Sequence, residues 1–219
     1  MHPHTELRFI NDQIGYGVFA TRRLPRGTIT WALCELDRIY RPGETHFLRP
    51  STLAILDRYA YADPDANTIL CWDHARYLNH HCEPNTRGLG HDLDFAVRDI
   101  EAGEQITCEY GVLNIVDSMA CQCGAARCRG AVHHDDVIRY GAEWDAIVQE
   151  AFPLVPKVEQ PLVPFIRNRQ SVEAMLAGRE PVPPFRSAYV PAERLEFGQI
   201  PAGGMVQPDT RVKIEAAGM

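Results

Sequence analysis

The feature that most limits how this chain can fold is the run Cys121-Gln122-Cys123-Gly124-Ala125-Ala126-Arg127-Cys128. Three thiols in a C-x-C-x4-C unit cannot all pair as disulfides, but they can share one metal ion. Zinc takes four tetrahedral ligands and favours sulfur. A fourth ligand must therefore come from elsewhere, and the chain must loop back to bring it. Cys82 is the leading candidate because it lies inside a second unusual stretch; His133 and His134 are alternatives. A site closed by four thiolates has no open position and is structural. Gly124 permits the tight turn that the unit needs.

The chain has seven cysteines, an odd number that does not suit a closed disulfide framework. The start, Met1-His2-Pro3-His4-Thr5-Glu6, has no basic segment leading into an apolar one, so no signal peptide is visible. No run approaches the roughly 18–20 apolar residues of a membrane span. These features predict a protein held in a reducing compartment: cytoplasmic, or nuclear if the source is eukaryotic, with no membrane partner. The 219 residues suffice for one core, or one core and a small appendage. The net charge is −7, and the acids are spread along the chain. No basic face of the kind that nucleic-acid binding needs is readable. Such a surface suits a basic protein partner. Of the 22 basic residues only Lys157 and Lys213 are lysines. Genome base composition explains this most simply; avoidance of self-modification by a lysine-modifying enzyme is the sharper reading.

The first 110 residues read as short strands separated by turns. Leu7–Ile10, Gly17–Thr21 and Thr28–Ala32 are strand candidates, with turn signals at Asn11-Asp12 and Leu24-Pro25-Arg26-Gly27. A helical turn is expected near Ser51–Arg58 with Ser51 as its N-cap. Strand patterns return at Asn67–Trp72, Asp94–Arg98 and Gln105–Tyr110. From Asp135 to Glu150 the residues Val137, Ile138, Trp144, Ile147 and Val148 form a stripe at helical spacing. Beyond residue 152 the chain is proline-rich, with a short helix at Ser171–Ala177. Phe165, Phe185, Tyr189 and Phe197 in that segment favour an ordered wrap over the main domain. The fold class expected is mainly β with short helices. The divisions expected are 1–116, 117–132 and a C-terminal extension 133–219.

The most informative stretch is Arg76-Tyr77-Leu78-Asn79-His80-His81-Cys82-Glu83-Pro84-Asn85. It resembles the R-F-x-N-H-S-C-x-P-N motif of SET-domain methyltransferases, with His81 in place of the usual serine. Gly15-Tyr16-Gly17-Val18-Phe19-Ala20 is similar to that family's G-x-G-(V/L)-F-A segment. Gly103-Glu104-Gln105-Ile106-Thr107-Cys108-Glu109-Tyr110-Gly111 is similar to its G-E-E-(L/I)-T-(F/Y)-D-Y-G segment. The cysteine unit, continued by Arg129-Gly130, resembles its post-SET zinc element. The resemblance covers about residues 6–132.

The resemblance implies a fold of small sheets around a pseudoknot, with residues 79–85 beside residues 105–111. It implies a protein-lysine N-methyltransferase that uses S-adenosylmethionine, carries one structural zinc ion held by Cys82, Cys121, Cys123 and Cys128, and acts on a lysine in a basic segment of a histone or other basic protein. By the same resemblance Tyr110 is the catalytic tyrosine. Gly15, Tyr16, Gly17, Arg76, Asn79, His80, Tyr110 and Val132 would hold the cofactor, and Tyr59, Tyr61 and Cys108 would line the lysine channel. Arg76 could instead hold its loop, His80 could be a satisfied structural histidine, and Asn85 reads as structural. The alternative is an inactive, zinc-stapled binding module with the same fold. Cys108 stands where the family usually has Phe or Tyr, a position that influences how many methyl groups fit. Its small side chain predicts more than monomethylation. Ala32-Leu33-Cys34-Glu35-Leu36 stands where relatives often show E-Y-x-G-E, which weakens any transfer of substrate preference.

Overall fold

A computed structural model describes residues 1–89 and 92–195; Phe197 lies outside them. A hairpin opens the chain, β1 (Thr5–Asn11) with β2 (Gly15–Ala20). Its turn forms because Asn11 Oδ1 accepts the Gln13 and Ile14 amides at 3.0 and 2.8 Å, an Asx turn. β3 (Ile29–Ala32) and β4 (Arg38–Tyr40) follow. Helix α1 (Pro50–Tyr59) starts on Pro50 at its first turn, where a missing N–H costs nothing. Ser51 is therefore inside the helix, and Arg49 occupies the N-cap with no side-chain bond. Next come β5 (Tyr61–Ala62), β6 (Thr68–Leu70), β7 (Asn79–His80), β8 (Thr86–Leu89), β9 (Leu93–Ala96) and β10 (Gln105–Cys108). β11 (Met119–Ala120) pairs with β12 (Ala131–Val132), and α2 (Asp136–Ala151) and α3 (Arg169–Leu176) complete the elements used below.

The strands form small sheets in the orders β1-β2-β10-β7, β3-β9-β8 and β4-β6-β5. The parallel pair β7–β10 aligns Asn79 with Thr107 and His80 with Cys108. This is the juxtaposition that the pseudoknot requires. Asn85, 1% exposed, clamps it. Its Nδ2 donates to the Gln105 carbonyl at 2.8 Å, and its Oδ1 accepts the Thr107 amide at 2.9 Å. β10 stops at Cys108 instead of reaching Tyr110. Glu109 Oε1 accepts the Gly111 amide at 2.8 Å, which caps a 3-10 turn over Tyr110–Val112.

The β3-β9-β8 sheet is covered on both faces, and all four residues of β3 are buried. Strand alternation sends Leu93 and Phe95 to one face, where they pack with Val137, Trp144 and Val148 of α2. The residues beyond α2 extend that core through Val155, Ile166, Val172 and Phe185. Two side-chain amides tie the extension down. Gln160 donates to the Gly27 and Val155 carbonyls at 2.8 and 2.7 Å and accepts the Ile29 amide at 2.9 Å. Asn114 donates to the Ala62 and Ala188 carbonyls at 3.0 and 2.9 Å and accepts the Val190 amide at 3.0 Å. Two expected contacts do not form. Ile138 is 43% exposed, because it lies a helical step round from buried Val137, and Phe165 is 62% exposed.

Candidate functional site

The sulfur cluster is built from three chain segments. Cys82 follows β7, Cys121 and Cys123 follow β11, and Cys128 precedes β12. All four Sγ atoms lie within 4.8 Å of one another. Cys121 Sγ is 3.8 Å from Cys82 Sγ and 3.7 Å from Cys128 Sγ. Tetrahedral zinc with Zn–S near 2.3 Å places its sulfurs about 3.8 Å apart, so the donor set fits that ion. The cysteines ligate best as thiolates, and amide N–H groups point at them. Cys82 N donates to Cys123 Sγ, and Arg129 N donates to Cys82 Sγ, each at 3.4 Å. A backbone hydrogen bond from Gly130 brings the Cys128 thiol down to about 7. His133 and His134 are not in the cluster.

His80 connects this cluster to Tyr110. Its Nδ1 accepts the Tyr110 amide at 3.3 Å, and its Nε2 lies 3.3 Å from Cys82 Sγ. Burial holds its pKa down at about 4, against the pull of Glu109. The ring is thus neutral, with Nε2–H directed at the sulfur. Both ring nitrogens are engaged within the protein, and the His80 backbone belongs to β7.

Beside it lies a charge network that the motifs did not reveal. Glu109, 3% exposed, accepts from Arg129 at 2.6 and 2.9 Å and lies 3.5 Å from Arg87 Nη1. Trp144 of α2 covers both guanidiniums, at 5.0 and 5.6 Å from its ring. The two arginines compensate the buried carboxylate, and removing a partner would leave an uncompensated buried charge. Readable hints were Arg129 directly after Cys128, and Arg87 as the one charged residue of β8.

On the other side of β10 is a cavity of about 420 Å³. Tyr59, Tyr61, Arg76, Cys108 and Tyr110 all line it. The Tyr110 hydroxyl donates to the Leu78 carbonyl at 2.6 Å, which fixes its direction. Burial pushes both the Tyr110 phenol and the Cys108 thiol well up, so each is neutral at ordinary pH. Arg76 donates from Nε to the Asp73 carbonyl at 3.1 Å and from Nη2 to the Trp72 carbonyl; it holds its loop. Trp31 and Asp94, which the sequence reading passed over, also line this cavity.

The G-x-G segment lies on β2. Gly15 has φ +82°, a conformation that suits glycine. A Cβ at Gly17 would meet Gln105 Nε2 at 2.6 Å, Ile10 Cδ1 at 2.7 Å and Asn79 Nδ2 at 3.0 Å. Here the space is taken by protein side chains. Asn79 Nδ2 donates to the Tyr16 carbonyl at 3.0 Å, binding β7 to the segment. The Tyr16 side chain, 47% exposed, stacks edge-on with Phe9 and Tyr77. Val132 packs against Met119 and Tyr110 beside the sulfurs.

Residues 15–111 match the SET domain family model. Among the chain's relatives, Histone-lysine N-methyltransferase ATX2 from Arabidopsis thaliana is 39% identical over 66 residues, 27% of this chain and 6% of that protein. Histone-lysine N-methyltransferase ASHH3 from the same plant is 31% identical over 96 residues, 39% of this chain and 26% of that one. The chain thus spans a minor part of the length of these relatives. Among solved structures, KRYPTONITE in complex with mCHG DNA and SAH is similar at a TM-score of 0.43 and 22% identity, covering 59% of this chain and 29% of that chain. Among the described residues no helix is long and apolar enough to cross a membrane.

Proposed function

We propose that this protein is a protein-lysine N-methyltransferase whose acceptor amine enters the cavity lined by Tyr59, Tyr61, Cys108 and Tyr110. The observation that carries the reading is the convergence of those four residues, drawn from α1, β5, β10 and the turn after it, on one cavity. S-adenosylmethionine, when bound, supplies an electrophilic methyl group that needs no metal to leave its sulfonium.

The protein has two tasks. The amine must be neutral, and it must point along the line of transfer. A free lysine titrates near 10.4. Burial among neutral aromatic and thiol groups disfavours its charged form, and the cavity walls restrict its approach, from which much of the rate derives. The Tyr110 hydroxyl, held by the Leu78 carbonyl, is a fixed dipole at this site. Gly15, Tyr16, Gly17, Asn79 and the β7 backbone form the cofactor side, with Arg76 shaping the loop and Val132 backing it. The four cysteines hold one structural zinc ion that locks β11 and β12 against the His80–Tyr110 segment. The substrate is a lysine in a basic segment of a histone or another basic protein, which the net charge of −7 favours.

The test is incubation of the full chain with labelled S-adenosylmethionine and a mixture of basic proteins. Label should appear on lysine. Tyr110→Phe should lower the rate at least about 100-fold while binding cofactor and unfolding as the parent does. Survival of activity in Tyr110→Phe, or no labelled lysine despite cofactor binding, refutes the reading.

A further inference from the structure

The acceptor cavity contains a carboxylate that the chemistry above does not use. Asp94 is in the middle of β9. Its neighbours Leu93 and Phe95 face the α2 core, so by alternation Asp94 projects from the other face of the sheet, and there it lines the cavity with Tyr61 and Cys108. Its carboxylate is only partly buried, and among the described residues no donor is hydrogen-bonded to it. In the same cavity the buried indole Nε1 of Trp31, the residue aligned with Asp94 across the sheet, also lacks a partner. A carboxylate in an apolar cavity without a donor is costly. Ordinary strand residues at this point would be apolar.

The charged groups around it have other engagements. Arg76 is bonded to the Asp73 and Trp72 carbonyls, and Arg58 is over the Tyr59 ring at 5.3 Å. Asp57, Arg58 and Asp117 are exposed and belong to the rim. Asp37 accepts from the Cys34 and Trp72 amides at 2.7 and 3.0 Å. Burial pushes the pKa values of Tyr61, Cys71 and Cys108 up, so these neighbours are neutral. The cation that acts on Asp94 is Arg87. It is one residue before the Gly88 that aligns with Asp94, and it lies on the sheet's opposite face with Glu109 and Trp144. Inside the rim formed by Asp57, Arg58 and Asp117, the cavity presents one carboxylate, Asp94, with no cation bonded to it.

We propose that Asp94 receives the ammonium group of the target lysine and takes its proton, leaving the neutral amine that methyl transfer requires. An N–H bond of the ammonium breaks and an O–H bond forms on the carboxylate. The electron pair stays on nitrogen, and no further reactant is needed. In an apolar cavity two neutral partners are favoured over an ion pair, so burial drives the transfer. Burial, partly opposed by Arg87, brings the Asp94 carboxyl up to about 6, which makes it a better proton acceptor than a surface aspartate. This role rests on the methyltransferase reading, but the amine site itself can be tested without it.

The experiment has two arms on the full chain. In the first, n-butylamine serves as a lysine side-chain probe, followed by the indole N–H resonance of Trp31. At neutral pH the ammonium should bind saturably and at least about tenfold tighter than n-butanol. That preference should vanish in Asp94→Asn, and in the unmodified protein as pH falls below about 6. In the second arm, methyl transfer from labelled S-adenosylmethionine to basic proteins should fall about 100-fold in Asp94→Asn, the size of an ordinary acid–base contribution. Equal binding of both probes, or an Asp94→Asn rate within threefold of the parent, overturns the proposal. If Asp94→Asn does not fold, the pH dependence of n-butylammonium binding to the unmodified protein decides the matter. Asp94-dependent binding with no transfer by the unmodified protein would instead remove the methyltransferase reading and leave the amine site standing. Transfer that ignores Asp94 would do the reverse.

Discussion

Glu109 is buried and Asp94 partly so in this small protein, and their surroundings differ. Glu109 faces the cysteine cluster. Arg129 grips both of its oxygens, Arg87 approaches from a second strand, and the Gly111 amide adds a bond. Asp94 faces the acceptor cavity with no donor among the described residues. At the Glu109 end of the molecule both carboxylate oxygens are bonded, while Arg87 Nε and Nη1 and Arg129 Nε have no hydrogen-bond partner. The other leaves a charge open in a cavity large enough for a side chain. A partly buried carboxylate without a donor is disfavoured where water is scarce.

The comparison can be broken most severely from the sulfur side. Removing the metal by chelation, or changing Cys121→Ser, should unfold residues 119–132 and abolish cofactor binding, because metal-binding energy of about 10–16 kcal/mol in such sites is folding energy. Zinc content and thermal unfolding measured together would show it. A chain that keeps its unfolding temperature without metal would mean that the cluster is not a staple. Next in size is Glu109→Gln. It leaves Arg129 and Arg87 buried without their anion, a change that costs about 3–5 kcal/mol, and denaturant unfolding should show that loss.

Asp94→Asn should have the opposite sign. The folded-state carboxyl is raised to about 6 from 3.8, so the folded protein binds more protons than the unfolded chain between those values. Stability contributed by the protonated form is complete below about pH 4 and is lost as pH rises through about 6. At pH 7 the asparagine variant should therefore be more stable by about 2–3 kcal/mol, and at pH 4 the two should unfold alike. A parent that is the more stable of the two at pH 7 would contradict an unpaired Asp94. The smallest effect is on the product. Cys108→Tyr, which fills the cavity beside Tyr110, should leave folding unchanged and shift the product toward monomethyl lysine. Mass spectrometry of a completed reaction reads this directly, and a parent that makes only monomethyl lysine would remove the basis for expecting a change.

The sulfur end was legible in the sequence because its chemistry is local. C-x-C-x4-C admits few uses, and Cys82 lies in an equally distinctive stretch. The strand pattern was legible too, since period-two alternation and turn residues are short-range signals. Boundaries were less so. Tyr110 leaves the strand for a 3-10 turn because of the Glu109–Gly111 bond, and α1 begins on Pro50 and not on a serine cap. Why position 17 needs glycine was not legible: Gln105, Ile10 and Asn79 fill the space where a Cβ would project. That packing comes from three distant segments.

The sequence by itself singled out the candidate site residues: four cysteines, the β7 motif and the tyrosine at position 110. Those choices depend on residue type and spacing, which are properties of the chain alone. Only the tertiary structure decided which face of β9 meets α2 and which meets the cavity. An acid between Leu93 and Phe95 reads as a solvent-facing strand residue until both faces of its sheet are seen to be covered. The physical reason is that the covering elements, α2 on one side and the Tyr61–Cys108 wall on the other, are set by contacts between segments far apart in the chain. Burial of that kind has no short-range signature.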